Sequence, residues 1–327
     1  MELLRRSVLA GSLALTPLLH SGGARAQQWP TRTIRMLCPY APGATGDIGA
    51  RLYGEELGKA LGQSVVVDNK TGAGGTIAMA ELGRAAPDGY TLGVIAQGLL
   101  VYNMGLYKNP GYDPFKDLVI LSISFSVANV LIVHPSNPAE TVADVIAQAK
   151  AKNGAYTFSS GGVGTSHHMS GVLFEMRTGA KMTHVPYRAT PAGIQAVVNG
   201  EVDMGMFNMP TVVGLIRAGK LKAIAVTGER RAEQFPELPT MIEAGFKDFV
   251  VDTWLGFGAP AALPPPLVTK LNAEFNRITN EPEVRKKMID QGMSPWPTRT
   301  PTEAMKFLRQ DSDFWLPIIK ASGASAE

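Results

Sequence analysis

Two glycine-bearing loops hold the residues best placed to do chemistry in this sequence. The first runs Pro39-Tyr40-Ala41-Pro42-Gly43-Ala44-Thr45-Gly46-Asp47, and the second Ser159-Ser160-Gly161-Gly162-Val163-Gly164-Thr165-Ser166-His167-His168. Each follows a strand-like run and opens a helix-like one. Each ends in residues able to cap a helix, Thr45 or Asp47 in the first and Thr165 or Ser166 in the second. Small residues at such a junction let backbone N–H groups approach a ligand closely. Free amides and the positive end of the helix dipole together make a ready anion site. In open α/β sheets ligands also sit beyond the carboxyl ends of the strands. One such loop alone reads more readily as a tight strand-to-helix turn. A matched pair points to a small anion, such as a dicarboxylate, held across a cleft.

Other polar residues add less. His168, in the first turn of the second helix, can donate a hydrogen bond to an anion or serve as a structural histidine. Arg188 follows a strand end at Pro186-Tyr187 and either reaches a carboxylate or stands as a solvated surface charge. The run Thr71-Gly72-Ala73-Gly74-Gly75 resembles a phosphate loop, but no Lys-Ser/Thr follows it, which argues against a nucleotide site. His167 and His168 are adjacent and so point in different directions on a helix, with no further ligand at metal-binding spacing. Neither a metal nor a cofactor is expected. Ser159 and Ser160 lack the G-x-S-x-G elbow of a serine nucleophile.

The elements that must position these loops alternate between strand-like and helix-like patterns. Strands are expected at 33–39, 64–68 and 91–96. Between the first two, Ala50, Tyr53, Leu57 and Leu61 recur at helical spacing, and 75–86 reads as another helix. The pattern restarts near 126–134 after a break. Strands then fall at 156–159, 182–187, 202–207 and 221–227, with helices at 165–177, 191–198 and 211–218. An irregular stretch, 228–249, precedes a strand at 250–259 and a helical tail from Pro264, with segments near 267–278, 282–291 and 302–315. This is the pattern of two α/β units with largely parallel sheets. The tail either forms a third layer or returns to the first unit; in the second case the chain crosses between lobes near 126–134 and 249–256, a hinge arrangement.

Composition narrows the classes of function. Arg5 and Arg6, an apolar run at 8–19 and Ala24-Arg25-Ala26 read in order as a cleavable secretory leader covering 1–26. The paired arginines leave Sec and Tat export both open, and no cysteine follows the run to carry a lipid. The chain is expected to work outside the cytoplasm. Its formal net charge is +3; removing the leader takes away +2 and leaves about +1. No dense basic run or aromatic-basic interleaving supports nucleic-acid binding. Cys38 is the lone cysteine and is expected in the core, so no internal disulfide can form.

The residues resemble a known family. The stretches Trp29-Pro30-Thr31-Arg32-Thr33-Ile34-Arg35, Ala41-Pro42-Gly43 with Asp47 and Ala50-Arg51-Leu52, and Val66-Val67-Asp68-Asn69-Lys70-Thr71-Gly72-Ala73-Gly74-Gly75 look like the tripartite tricarboxylate transporter substrate-binding proteins, the Bug family. So do Ala86-Pro87-Asp88-Gly89-Tyr90-Thr91-Leu92, Ser159-Ser160-Gly161 with Gly164-Thr165 and His168, and Val185-Pro186-Tyr187-Arg188. Gly200-Glu201-Val202-Asp203, Ala218-Gly219-Lys220-Leu221 and Trp254 with Ala259-Pro260 continue the likeness in order along the chain.

The resemblance implies an α/β, two-lobed periplasmic-binding-protein fold of type II-like form, its two domains joined by two crossing strands with a ligand cleft between them. Domain 1 would comprise 27–130 plus 255–327, and domain 2 would comprise 131–254. It implies a carboxylate gripped by backbone amides of the two loops, and integral membrane transporter subunits as partners of a monomer. Tyr40, Gly43, Ala44, Thr45 and Asp47 would form one jaw, and Ser159, Ser160, Gly164, Thr165 and His168 the other. Tyr187, Arg188 and Asn208 would shape the wall. The sequence departs from the family pattern at Ala44, Gly46, Ala189 and Phe207. Phe207 either reaches the cleft and favours a bulkier acid, or fills the core. Two other readings compete: a sensor subunit for a membrane signalling partner, and a periplasmic hydrolase using a serine and His168.

Overall fold

Ile34–Cys38 (β1) is buried at every position but Arg35, and its burial on both faces makes it an interior strand. The computed structural model describes residues 29–326, so the expected leader lies outside the described residues. After β1 come Thr45–Leu61 (α1), Val65–Asn69 (β2), a 3-10 turn at Ala73–Gly75, Thr76–Arg84 (α2) and Thr91–Ala96 (β3). A π-helical turn at Gly98–Tyr102 leads into Asn103–Leu106 (α3) and then Leu118–Val133 (β4). The next unit holds Val142–Lys152 (α4), Thr157–Ser160 (β5), Ser166–Thr178 (α5), Thr183–Pro186 (β6), Thr190–Val198 (α6), Met204–Asn208 (β7), Met209–Arg217 (α7) and Lys222–Val226 (β8). Asp252–Pro260 (β9), Pro265–Asn280 (α8), Pro282–Asp290 (α9), Ser294–Pro295 (β10) and Pro301–Ser322 (α10) complete the order.

One strand joins two sheets. The first sheet runs β2-β1-β3-β9-β4, and the second runs β4-β7-β5-β6 with β8 also on β4. Leu118 to Ala128 of β4 pair with β9 in the first lobe, and Asn129 to Val133 pair with β7 and β8 in the second. The chain returns through Thr227 and Val251, whose amides donate to Asn129 O and Thr227 O. The tail packs on the first lobe. There Tyr53 of α1 hydrogen-bonds Thr279 of α8 at 2.9 Å, and its ring lies 4.9 Å from Phe257 of β9, which stacks on Phe275.

The sheets are more mixed than the sequence pattern suggests. β1, β2 and β3 are parallel, as are β5, β6 and β7, but β9 and β4 run antiparallel to their neighbours. β4 also begins eight residues before the expected restart: 118–121 is a continuous apolar run, the serines at 122, 124 and 126 alternate with Ile123, Phe125 and Val127, and both faces are buried in the sheet. α4 and the π-helical turn with α3 were not expected. Phe207 is fully buried among Val130, Ile194 and Val212, so it fills the core of the second lobe. Cys38 is buried, and burial pushes its thiol up to about 12, leaving it an inert core residue.

Candidate functional site

Both loops use the same backbone device. Gly43 at φ 80° and Gly164 at φ 82° each stand one residue before the N-cap of a helix, Ala44 for α1 and Thr165 for α5. A left-handed residue there turns the strand end so that the helix axis points into the space between the lobes, which is a conformation glycine adopts without strain. In α1 the N-cap is an alanine and supplies no side-chain acceptor. The first bond within the helix is from Ile48 N to Ala44 O, so the amides of Thr45, Gly46 and Asp47 have no partner in their own helix. In α5 the Thr165 hydroxyl accepts from His168 N, leaving the amides of Ser166 and His167.

These helix ends meet at an inner chamber of about 50 Å³. Tyr40, Ala44, Thr45 and Gly46 line it from the first jaw, and Gly164, Thr165, Ser166 and His167 from the second. Ala96, Gly98 and Leu99 close it along β3, Thr253 and Leu255 along β9, and Gly74, Thr190 and Asn208 complete it. None of its lining residues is Asp, Glu, Lys or Arg. The positive potential inside therefore comes from oriented peptide dipoles and not from a cationic side chain. An outer chamber of about 470 Å³ shares Tyr40, Ala44, Gly74, Thr165 and Thr190 with it and extends past Gly162, Tyr187 and Arg188.

A buried polar network locks the deep end. Asn208 Oδ1 accepts from Thr45 Oγ1 at 3.1 Å and faces His167 Nε2 at 3.0 Å. Asn208 Nδ2 donates to Asn129 Oδ1 at 2.5 Å and to Ser166 Oγ at 3.3 Å. The Thr45 bond joins the first lobe to the second. Because Asn208 Oδ1 can only accept, His167 carries its proton on Nε2, and its Nδ1 accepts from Gly161 N at 3.3 Å. His167 thus pins the second loop while facing the chamber.

The placement of the expected residues is uneven. Tyr40, Ala44, Thr45, Gly164, Thr165 and Asn208 line the inner chamber. Tyr187 and Arg188 line the outer one, Arg188 being exposed. Five others lie behind the jaws. Asp47 accepts from Gly43 N, Asn69 and Arg51, and so ties down the first loop. Burial works against its charge, but those hydrogen bonds outweigh it and hold its carboxyl below the usual range. Gly43 is exposed and gives its amide to that carboxylate. Ser159 donates to Gly193 O, and Ser160 Oγ lies 3.2 Å from Gly162 O and 2.7 Å from His184 Nε2. His168 faces away from the chamber and stacks on His184 at 4.2 Å, its Nδ1 accepting from Gly164 N at 3.5 Å. It makes no bond to Ser159 or Ser160, so the Ser–His pairing a hydrolase needs is not formed with His168.

The sequence reading missed Gly46, Ser166 and His167, although each lay inside a loop it had marked. It also missed Gly98 and Thr253, which are small residues on apolar strands or at their ends and carry no local signal.

The three buried histidines make stability pH-dependent. Burial holds His167 and His168 at about 4, and burial with the neighbouring His168 holds His184 at about 3. In the unfolded chain each protonates near pH 6.5. Stability is therefore full above that pH and falls as pH drops toward 4, by up to about 3 kcal/mol for His167 alone. Melting temperature measured by circular dichroism from pH 7 to 4.5 should fall steadily, and His167→Gln should flatten the slope.

The chain is similar to known proteins along most of its length. The description of the tripartite tricarboxylate transporter family receptor matches residues 50–324. The chain is 32% identical over 300 residues to protein BugT of Bordetella pertussis, covering 91% of this chain and 92% of that one. Among solved structures it is similar to R. palustris Rpa4515 with adipate, at TM-score 0.88 and 30% identity over 91% of this chain and 99% of that chain. It is also similar to MatC (Rpa3494) from Rhodopseudomonas palustris with bound malate, at TM-score 0.84 and 30% identity over 89% of this chain and 100% of that chain.

Proposed function

The chain belongs to the tripartite tricarboxylate transporter receptor family, and from that premise we propose that it is a periplasmic receptor for a small organic carboxylate. The ligand is captured between the lobes and delivered to integral membrane subunits of a transporter. One observation carries this reading: the buried, side-chain-uncapped N-terminus of α1 faces that of α5 across a chamber with no charged side chain. A buried helix end without partners calls for an acceptor from outside the chain. A carboxylate supplies acceptor oxygens and the charge that both dipoles favour. The two structural neighbours, with adipate and with malate, hold ligands of this chemistry.

With the pairing of β4 and β9 as the guide, the lobes of this receptor are 29–128 with 252–326, and 129–251. Tyr40, Ala44, Thr45, Gly164, Thr165 and Asn208, joined by Gly46, Ser166 and His167, surround the carboxylate. Gly43, Asp47, Ser159, Ser160 and His168 shape the jaws from behind. Tyr187 and Arg188 meet the rest of the ligand in the outer chamber. Among the described residues no helix is long and apolar enough to cross a membrane. The test is a thermal-shift screen of organic acids. An acid at a hundred times its dissociation constant should stabilise the protein by about 2.7 kcal/mol, a readily measured shift. If no organic acid at millimolar concentration moves the melting temperature, the receptor reading fails.

A further inference from the structure

The chamber has a third wall that the two jaws do not supply. β9 follows the second crossing between the lobes, and Thr253 pairs with Val127 of β4 in the first sheet. Side chains alternate along this strand. Trp254 points away and donates to Asp311 of α10 at 2.7 Å, while Thr253 and Leu255 face the inner chamber beside Ala96. Thr253 is only 6% exposed, and its Oγ1 makes no hydrogen bond within the protein. Three of its polar neighbours in the chamber have partners: Thr45 and His167 both bond Asn208, and Thr165 bonds Gly162 O and His168 N. A buried hydroxyl left unpaired destabilises the fold, so its place on the chamber wall points to a partner brought by the ligand.

We infer that Thr253 is a specificity-determining contact that hydrogen-bonds an oxygen substituent beside the carboxylate, so that the preferred ligand is a hydroxy or oxo acid. The inference rests on the carboxylate reading of the same chamber. The carboxylate oxygens are met by amides on the two jaw walls, whereas Thr253 stands on the wall between them. The group it meets is therefore the one attached next to the carboxylate. An acid with only hydrogen there enters the same cradle but leaves the Thr253 hydroxyl buried and unpaired. Sites built to bond a ligand hydroxyl reject the analogue without it for this reason.

The experiment is a calorimetric comparison of succinate with 2-hydroxysuccinate, and of propionate with lactate, on wild type, Thr253→Val and Thr253→Ser. Wild type should prefer the hydroxylated member of a pair that binds by roughly tenfold. Thr253→Val, nearly isosteric, should erase that preference by weakening only the hydroxylated acid, and Thr253→Ser should keep it. The ligand-free melting temperature of Thr253→Val should not fall, since no bond within the protein is lost; a purely structural role would lower it. Equal weakening of both acids by valine would assign Thr253 to the carboxylate itself and overturn the inference, as would an unchanged preference. If wild type binds none of the four acids while others bind, this assignment falls and the receptor reading stands. If no organic acid binds at all, the receptor reading falls with it.

Discussion

Gly98→Ala should weaken carboxylate binding by roughly tenfold to a hundredfold while leaving the ligand-free fold intact. A Cβ on Gly98 would lie 2.7 Å from the carbonyl oxygen of Gly164, which belongs to the opposite lobe. The next nearest atom is Tyr102 Cδ2, at 3.8 Å, an ordinary contact. The added side chain therefore meets resistance only where the lobes touch. That obstacle is backbone, which cannot rotate aside as a flexible side chain would. Ligand affinity depends on contacts completed when both jaws meet, so a barrier to closure subtracts directly from it. Gly98 is a cleaner site for this test than Gly164, whose φ of 82° would strain any side chain whatever the lobes do. Gly214→Ala, where a Cβ meets nothing within 4 Å, is the matched control and should bind as wild type. Calorimetry with the best acid from the screen, alongside thermal melts without ligand, separates a closure defect from a folding defect.

The two jaw loops were legible in the sequence because their signal is local. A glycine before a capping residue, between a strand pattern and a helix pattern, fixes where a helix N-terminus must point. Thr45 and Thr165 illustrate this, though Thr45 acts through its bond to Asn208 and not as a cap. The choice between His167 and His168 was not legible, because neighbouring helix residues differ by about 100° in direction and only the packed structure decides which one faces the chamber. The remaining walls were invisible for a different reason. Gly98 and Thr253 reach the same chamber because β3 and β9 pair antiparallel at Ala96 and Leu255. That pairing joins positions far apart in the chain. The alternation of strands and helices suggested parallel sheets, and it could not reveal that β9 runs against β3 in the first sheet and β4 against β7 in the second.

The second large effect concerns charge. The primary amide of a binding acid should bind at least a hundredfold more weakly than the acid. The amide has nearly the same shape but presents N–H donors to a chamber whose first-turn amides are donors already. One end of it would leave donors facing donors, each a buried polar group without a partner. It also forfeits the attraction between a negative charge and two helix N-termini. Charge-assisted bonds and helix dipoles in buried geometry together favour the carboxylate by roughly 3 kcal/mol, about two orders of magnitude. Because the inner chamber carries no charged side chain, this preference cannot be ascribed to an ion pair there.

A calorimetric titration of the wild-type protein with its best acid and with the corresponding primary amide tests that claim most directly. Tight binding of the acid with no measurable binding of the amide is the result expected for a cradle of backbone donors. Binding of the amide within threefold of the acid would contradict it.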